Sequence, residues 1–84
     1  MSYTVELSDL AKKQLAKLPK EIRKRIISVI ERSRIRPEAY FEKLVGEKSY
    51  KLRAGDYRII ADIYRKELFI LVIKVGHRKK IYKK

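Results

Sequence analysis

The stretch from Leu68 to Tyr82 changes character halfway along, and this change constrains the rest of the chain. Leu68–Val75 is the most apolar run in the sequence and is rich in β-branched residues. A run of this length and composition predicts a buried strand rather than a helix. After Gly76 the chain becomes strongly cationic, and no acid follows Glu67. We therefore predict a core strand that carries a cationic segment to the protein surface.

Chain length and composition restrict the class of protein. A chain of 84 residues predicts a single domain that spans positions 1–84. The absence of cysteine excludes disulfides and thiol chemistry. The first residues do not resemble a secretory signal, and no apolar run approaches the roughly 20 residues of a membrane span. We therefore expect a soluble cytoplasmic protein without a membrane partner.

The net charge indicates what the protein binds. Its 23 lysines and arginines against 10 acids give +13, which predicts an anionic partner. Nucleic acid is the first candidate, an acidic protein the second and an anionic membrane surface the third. The narrow aliphatic faces of the predicted helices disfavour the membrane. A thermostable surface is the structural alternative, but such surfaces mix both signs of charge.

Hydrophobic periodicity predicts the order βααβββ. Ser8 is a suitable N-cap for the first helix, and Pro19 suits the first turn of the second. The predicted elements are strand Tyr3–Leu7, helices at about 9–17 and 19–34, and strands Tyr50–Arg53, Tyr57–Tyr64 and Leu68–Val75. This pattern predicts an α+β fold, in which an N-terminal strand and a three-stranded antiparallel meander form one sheet with a helical hairpin on one face.

Two further expectations concern packing. The connector to Gly46 is expected to cover one edge of the core with Tyr40, Phe41 and Leu44. Alternation along the strands predicts a core face made of Tyr50, Leu52, Ile59, Ala61, Ile63, Phe69, Leu71, Ile73 and Val75. The same alternation predicts a group of cations on the helix-free face, near the emerging Arg78: Lys51, Arg53, Arg58 and Lys74.

Few kinds of chemistry fit these residues. With one histidine and no cysteine, the chain predicts neither a metal site nor a cofactor. Clustered arginines and lysines bind phosphate, and they can stabilise the transition state of phosphodiester cleavage. In RNA the 2′-OH can be the nucleophile, and a tyrosine or lysine made more acidic by nearby cations is the available type of base. Composition alone does not separate cleavage from plain RNA binding.

Three motifs resemble a known family. Lys43-Leu44-Val45-Gly46, the turn segment Tyr50–Ile59 and Val75-Gly76-His77-Arg78 with Ile81-Tyr82 stand in this order. Together they are similar to the RelE branch of the RelE/ParE toxin superfamily, in particular to short archaeal-type RelE toxins. The likeness runs from the first strand to Tyr82.

This resemblance implies a toxin that cleaves mRNA in the ribosomal A site and is neutralised by a RelB-like antitoxin. It implies that Arg58 holds the scissile phosphate, and that Arg78 stabilises charge or protonates the leaving group. Tyr82 matches a tyrosine proposed as base or stacking platform, and Lys51 matches the second of two strand lysines. Ser49 stands at the position of the first lysine, so the base stays open between Tyr82, Lys51 and Lys48. The remaining predicted RNA- or ribosome-binding residues are Lys48, Arg53, Lys74, His77, Lys79 and Lys80.

Two other functions remain open at this point. A ParE-like inhibitor of DNA gyrase would use the same fold without nuclease activity, although that branch usually lacks the combination of Arg78 and Tyr82. A non-catalytic basic module that binds RNA or the ribosome would also explain the charge. Fold alone does not decide among these functions.

Overall fold

The chain folds into a mixed five-stranded sheet with two helices packed on one face. The computed structural model describes residues 2–79, so the predicted site residues Lys80 and Tyr82 lie outside the described residues. The elements are β1 (Thr4–Leu7), α1 (Asp9–Ala16), α2 (Lys20–Ser33), a 3-10 turn (Pro37–Ala39), β2 (Glu42–Lys43), β3 (Tyr50–Ala54), β4 (Tyr57–Tyr64) and β5 (Phe69–His77). The predicted α+β class is confirmed, and the predicted elements occur in the predicted order with β2 as an addition.

The strand order is β1-β5-β4-β3-β2. The predicted antiparallel meander of β3, β4 and β5 is confirmed, and β1 joins its edge parallel to β5. The short strand β2 pairs with β3 and was not predicted, because its two residues are too few to show a period. The meander therefore forms the centre of the sheet, with β1 and β2 at its edges.

Both helices begin as their sequences predict. The Ser8 hydroxyl caps α1 by accepting a hydrogen bond from the Ala11 amide at 3.0 Å. Pro19 precedes the first turn of α2, where its missing N–H is not needed. The predicted apolar stripe of α2 faces the sheet, with Ile26 and Ile30 buried in one cluster with the sheet residues. Burial of this stripe holds the helical hairpin on the sheet.

The core face of β3 and β4 is confirmed, since Leu52, Ile59 and Ala61 are buried in the same cluster. In the connector, Phe41 is buried as expected. Tyr40 is 42% exposed and Leu44 is half-buried, so of the three connector residues expected at this edge only Phe41 is buried. A two-residue turn joins β3 to β4, and Gly55 takes φ of +61° at its first position, which side chains with a Cβ rarely adopt.

The predicted core face of β5 is only partly right. Val75 is buried as expected, but the other buried residues are Ile70 and Val72, not Phe69, Leu71 and Ile73. The reason is a β-bulge: Ile60 pairs with Lys74 and Ala61 pairs with Val72, which leaves Ile73 as an extra residue in β5. One inserted residue reverses the alternation of the two faces. Because the residues before the bulge are all apolar, the sequence does not show where this reversal occurs.

Candidate nucleic-acid interface

Four predicted cations lie together on the helix-free face of the sheet. Strand pairing puts Lys51 and Lys74 on either side of Ile60, and it puts Arg53 directly opposite Arg58. Side chains at paired positions, and at positions diagonal to them, are close enough to interact. The four therefore border one area, which we call the cationic surface (Lys51, Arg53, Arg58 and Lys74).

A buried isoleucine lies at the centre of the cationic surface. Ile60 is only 4% exposed although no helix covers this face, and its two paired neighbours, Lys51 and Lys74, are half-buried. Long lysine side chains pack their methylene stems on apolar surface and keep the ammonium group in water. We infer from this pairing that the methylene stems of the two lysines pack on Ile60 and that their ammonium groups face the solvent, where a ligand can bind them.

Arg58 is the most unusual side chain of the cationic surface. It is 8% exposed, and its Nε and Nη1 atoms are buried without a hydrogen-bond partner among residues 2–79. Its partner in β5 is Gly76, which has no side chain, and its partner in β3 is another cation, Arg53. Buried donors without partners and paired like charges are both unfavourable. An anion bound beside Arg58 would relieve the repulsion between the two arginines.

Among residues 2–79, no ion pair neutralises the cationic surface, although Glu42 lies directly opposite Lys51. Asp62 lies on the same face of β4, but one of its carboxylate oxygens accepts a hydrogen bond from the Ser49 hydroxyl at 3.0 Å. The ion pairs found within residues 2–79 are Glu31–Arg34 and Glu38–Arg65, and neither includes a residue of the cationic surface. The positive charge of this face is therefore available to a ligand.

Arg78 follows directly after β5 and is exposed. Its backbone N–H donates to the Asp56 carbonyl at 2.8 Å, which holds the chain beside the turn between β3 and β4. A purely structural role for Arg78 would need an ion pair with an acid such as Asp62, and no such pair occurs among the described residues. Arg78 thus begins at the same end of the sheet as Arg53 and Arg58.

His77 is not part of the cationic surface. It pairs with Tyr57 on the helix side of the sheet, and the two rings make an edge-to-face contact at 5.5 Å. Its Nδ1 accepts a hydrogen bond from the Lys79 backbone N–H at 3.2 Å. The predicted RNA-binding residues Lys48 and Lys79 are exposed, but the sheet pairing does not bring them into the cationic surface.

Comparison with known proteins identifies the family. A family model described as the ParE toxin of the type II toxin–antitoxin system parDE matches residues 5–82. The chain belongs to this toxin family. A search of curated proteins found no match.

Solved structures place the toxin in the RelE branch of the RelE/ParE superfamily. It is similar to a chain of the Mycobacterium tuberculosis RelBE2 toxin–antitoxin complex, with TM-score 0.85 and 25% identity over 93% of this chain and 100% of that one. The archaeal RelE–RelB complex from Pyrococcus horikoshii OT3 gives TM-score 0.80 and 29% identity over 95% and 99% of the two chains. The intact Escherichia coli RelBE complex gives TM-score 0.76 and 27% identity over 90% and 96%.

The sequence did not reveal every residue that shapes this surface in the toxin. Alternation with the core residues Ile59 and Ala61 puts Ile60 on the helix-free face, but its burial there was not foreseen. Ser8 was expected only as a helix cap, and Gln14 was not singled out, yet both bond to the backbone of β5. Gln14 is 61 residues from its partner, so no local pattern could have shown this contact.

The described part of the toxin contains no cluster of three or more potential metal-ligating His, Cys, Asp or Glu side chains. Within residues 2–79, no helix is both long enough and apolar enough to cross a membrane.

Proposed function

We propose that this toxin is a ribosome-dependent endoribonuclease that cleaves mRNA in the ribosomal A site. The observation that supports this most directly is Arg58, a nearly buried guanidinium with unpartnered Nε and Nη1 atoms, set among three further cations. A phosphodiester group fits this site, because guanidinium donors and phosphate oxygens match in charge and geometry. The likeness to RelE toxins supports the same conclusion.

The proposed chemistry takes its nucleophile from the RNA. The 2′-oxygen attacks the neighbouring phosphorus, the bond from phosphorus to the 5′-oxygen breaks, and a 2′,3′-cyclic phosphate and a 5′-hydroxyl form. Arg58 binds the phosphate, and Arg78 and Lys74 stabilise the negative charge that develops on its oxygens. The base that accepts the 2′-proton is Tyr82, Lys51 or Lys48, and the leaving oxygen gains a proton from Arg78 or from water.

The ribosome has a defined part in this proposal. Two carboxylates of the described residues border the cationic surface, Glu42 opposite Lys51 and Asp62 in β4, but neither pairs with Arg58 in the sheet, so we expect the protein alone to be a poor catalyst. Holding the 2′-oxygen in line with the scissile bond can supply much of the missing rate. We therefore expect the ribosome to position the mRNA, and free RNA to be cleaved slowly.

A RelB-like antitoxin is the proposed inhibitor. Several of the similar solved structures are toxin–antitoxin complexes of RelE with RelB. A partner that bound the cationic surface with acidic side chains would gain from the charge of +13 and would block access to Arg58. Co-expression of such an antitoxin should abolish toxicity.

The test is translation of a defined mRNA on purified ribosomes, with the 5′ ends of the fragments mapped by primer extension. We expect cuts within the translated frame, 5′-hydroxyl ends, and loss of cleavage in Arg58→Ala. Arg36→Ala is the control for loss of one positive charge, because Arg36 is exposed and lies between α2 and the 3-10 turn, outside the sheet. Intact mRNA together with inhibition of gyrase supercoiling would refute the proposal and favour the ParE-like function. Ribosome binding without cleavage would favour the non-catalytic module.

A further inference from the structure

The bulge in β5 changes which face of the sheet the end of that strand presents. Before the bulge, Ile70 and Val72 face the helices, and after it Val75 and His77 do. Without the extra residue, alternation from Val72 would put Lys74 on the helix side. The bulge therefore turns Lys74 towards the helix-free face and into the cationic surface.

Two side chains of the α1 region bond to the backbone of the bulge. The Ser8 hydroxyl donates to the Ile73 carbonyl at 2.6 Å, and the Gln14 side-chain oxygen accepts from the Val75 N–H at 2.6 Å. These two backbone groups lie beyond the last pairing of β1 with β5, which is Leu7 with Val72. The side chains of Ser8 and Gln14 thus make hydrogen bonds to β5 where β1 no longer pairs with it.

The two bonds differ in what else they serve. Ser8 also caps α1, so its removal would disturb the helix as well as the bulge. Gln14 is half-buried on α1 and makes one side-chain hydrogen bond among those found in residues 2–79, to Val75. Gln14 is therefore the residue at which the role of the bulge can be tested with the least disturbance.

We infer that Gln14, assisted by Ser8, is a positioning residue that holds the β5 bulge and thereby places Lys74 and the start of Arg78 at the cationic surface. The catalytic consequence rests on the proposed nuclease function, whereas the structural consequence does not. Gln14 acts through the Val75 N–H and is not expected to contact RNA. An oxygen acceptor at this position is the required chemical feature.

The structural consequence can be measured by disulfide trapping, because the natural chain has no cysteine. In the sheet, Tyr57 pairs with His77, whereas the neighbouring Gly76 lies on the opposite face. The double variant Tyr57→Cys/His77→Cys should therefore form its disulfide faster than Tyr57→Cys/Gly76→Cys. Adding Gln14→Leu should reduce this ratio of rates roughly tenfold, the equivalent of one lost hydrogen bond. Adding Gln14→Glu should preserve the ratio, because a carboxylate also accepts a hydrogen bond. An unchanged ratio in the Gln14→Leu background would overturn the inference.

The functional consequence is measured in the ribosome cleavage assay without the engineered cysteines. Gln14→Leu should reduce cleavage roughly tenfold, Gln14→Glu should restore it, and the exposed neighbour Lys13→Ala should leave it unchanged. Comparable loss in Gln14→Leu and Gln14→Glu would contradict the inference, because it would show a role other than accepting the Val75 bond.

Arg58→Ala separates failure of the inference from failure of the proposed function. If Arg58→Ala abolishes cleavage and Gln14→Leu does not, the positioning role is wrong and the nuclease function stands. If Gln14→Leu lowers the trapping ratio while the natural toxin cleaves no mRNA, the structural role stands and the proposed function is wrong.

Discussion

Replacement of Arg58 by methionine should make the toxin more stable and inactive. Arg58 is 8% exposed, with two buried nitrogens that have no partner within residues 2–79. Leaving a buried donor without a partner costs about 1–3 kcal/mol, and a like-charged partner across the strands such as Arg53 adds roughly 0.2–1 kcal/mol. Methionine keeps most of the buried stem and removes the charge and the donors. We expect a net gain of about 2 kcal/mol in the free energy of unfolding, less than the sum of these terms because the stem packing changes.

Thermal unfolding followed by circular dichroism measures this effect. For a domain of this size, about 2 kcal/mol corresponds to a rise in Tm of roughly 8–16 °C. The buffer should contain chloride only, because sulfate or phosphate bound at Arg58 would stabilise the natural toxin by mass action. Addition of sulfate should therefore raise the Tm of the natural toxin more than that of Arg58→Met.

Arg53→Met is the matched control, because it removes the same repulsion from an exposed position. Its unfolding free energy should change by less than about 1 kcal/mol. The difference between the two variants therefore reports the burial of the Arg58 guanidinium. A fall in Tm for Arg58→Met, larger than that for Arg53→Met, would refute the reasoning, since it would show that the guanidinium is bonded and supports the fold.

The other predictions concern Arg78, Gly55 and Lys74. Arg78→Ala should change the free energy of unfolding by about 0.5 kcal/mol or less, because the side chain is exposed, and should slow cleavage on the order of 100-fold; a large fall in Tm with proportionate loss of cleavage would mark Arg78 as structural. Gly55→Ala should lower the free energy of unfolding, measured in urea, by about 1–2 kcal/mol because of the positive φ at this position. The loss should exceed that of Gly46→Ala, because a Cβ at Gly55 would lie 3.3 Å from the Arg25 side chain, whereas a Cβ at Gly46 would have no neighbour within 4 Å. Lys74→Ala should reduce the salt dependence of binding to single-stranded RNA by about 0.7 in log–log slope, and an unchanged slope would exclude Lys74 from the RNA contact.

Local patterns carried much of the fold prediction. Ser8, Pro19 and the apolar stripe of α2 predicted two helices, because caps and helical periodicity act within a few residues. The turn at Gly55 and the alternation around Ile59 predicted the hairpin of β3 and β4 for the same reason. Alternation also grouped Lys51, Arg53 and Arg58, because two strands joined by a tight turn have only one register that keeps both apolar faces together.

The position of Lys74 was predicted correctly although the phase of the preceding residues was wrong. Lys74 is the neighbour of Val75, whose predicted helix-side position is correct, so alternation put Lys74 on the helix-free face. The apolar residues Phe69, Leu71 and Ile73 do not show which face they occupy, because they are compatible with either face of a strand. The sequence therefore predicted the faces of Lys74 and Val75 correctly, but it did not show the bulge before them.

By itself, the sequence determined the helices, the central hairpin, the excess of positive charge and the family motifs, since each depends on neighbouring residues or on composition. Only the tertiary structure decided that Arg58 is nearly buried without a partner, that His77 turns away from the cationic surface, and that Gln14 bonds to Val75. These features arise where chain segments far apart in sequence meet. At the bulge, Ser8 and Gln14 bond to backbone groups of β5 that β1 does not reach, and a contact across 61 residues leaves no local pattern.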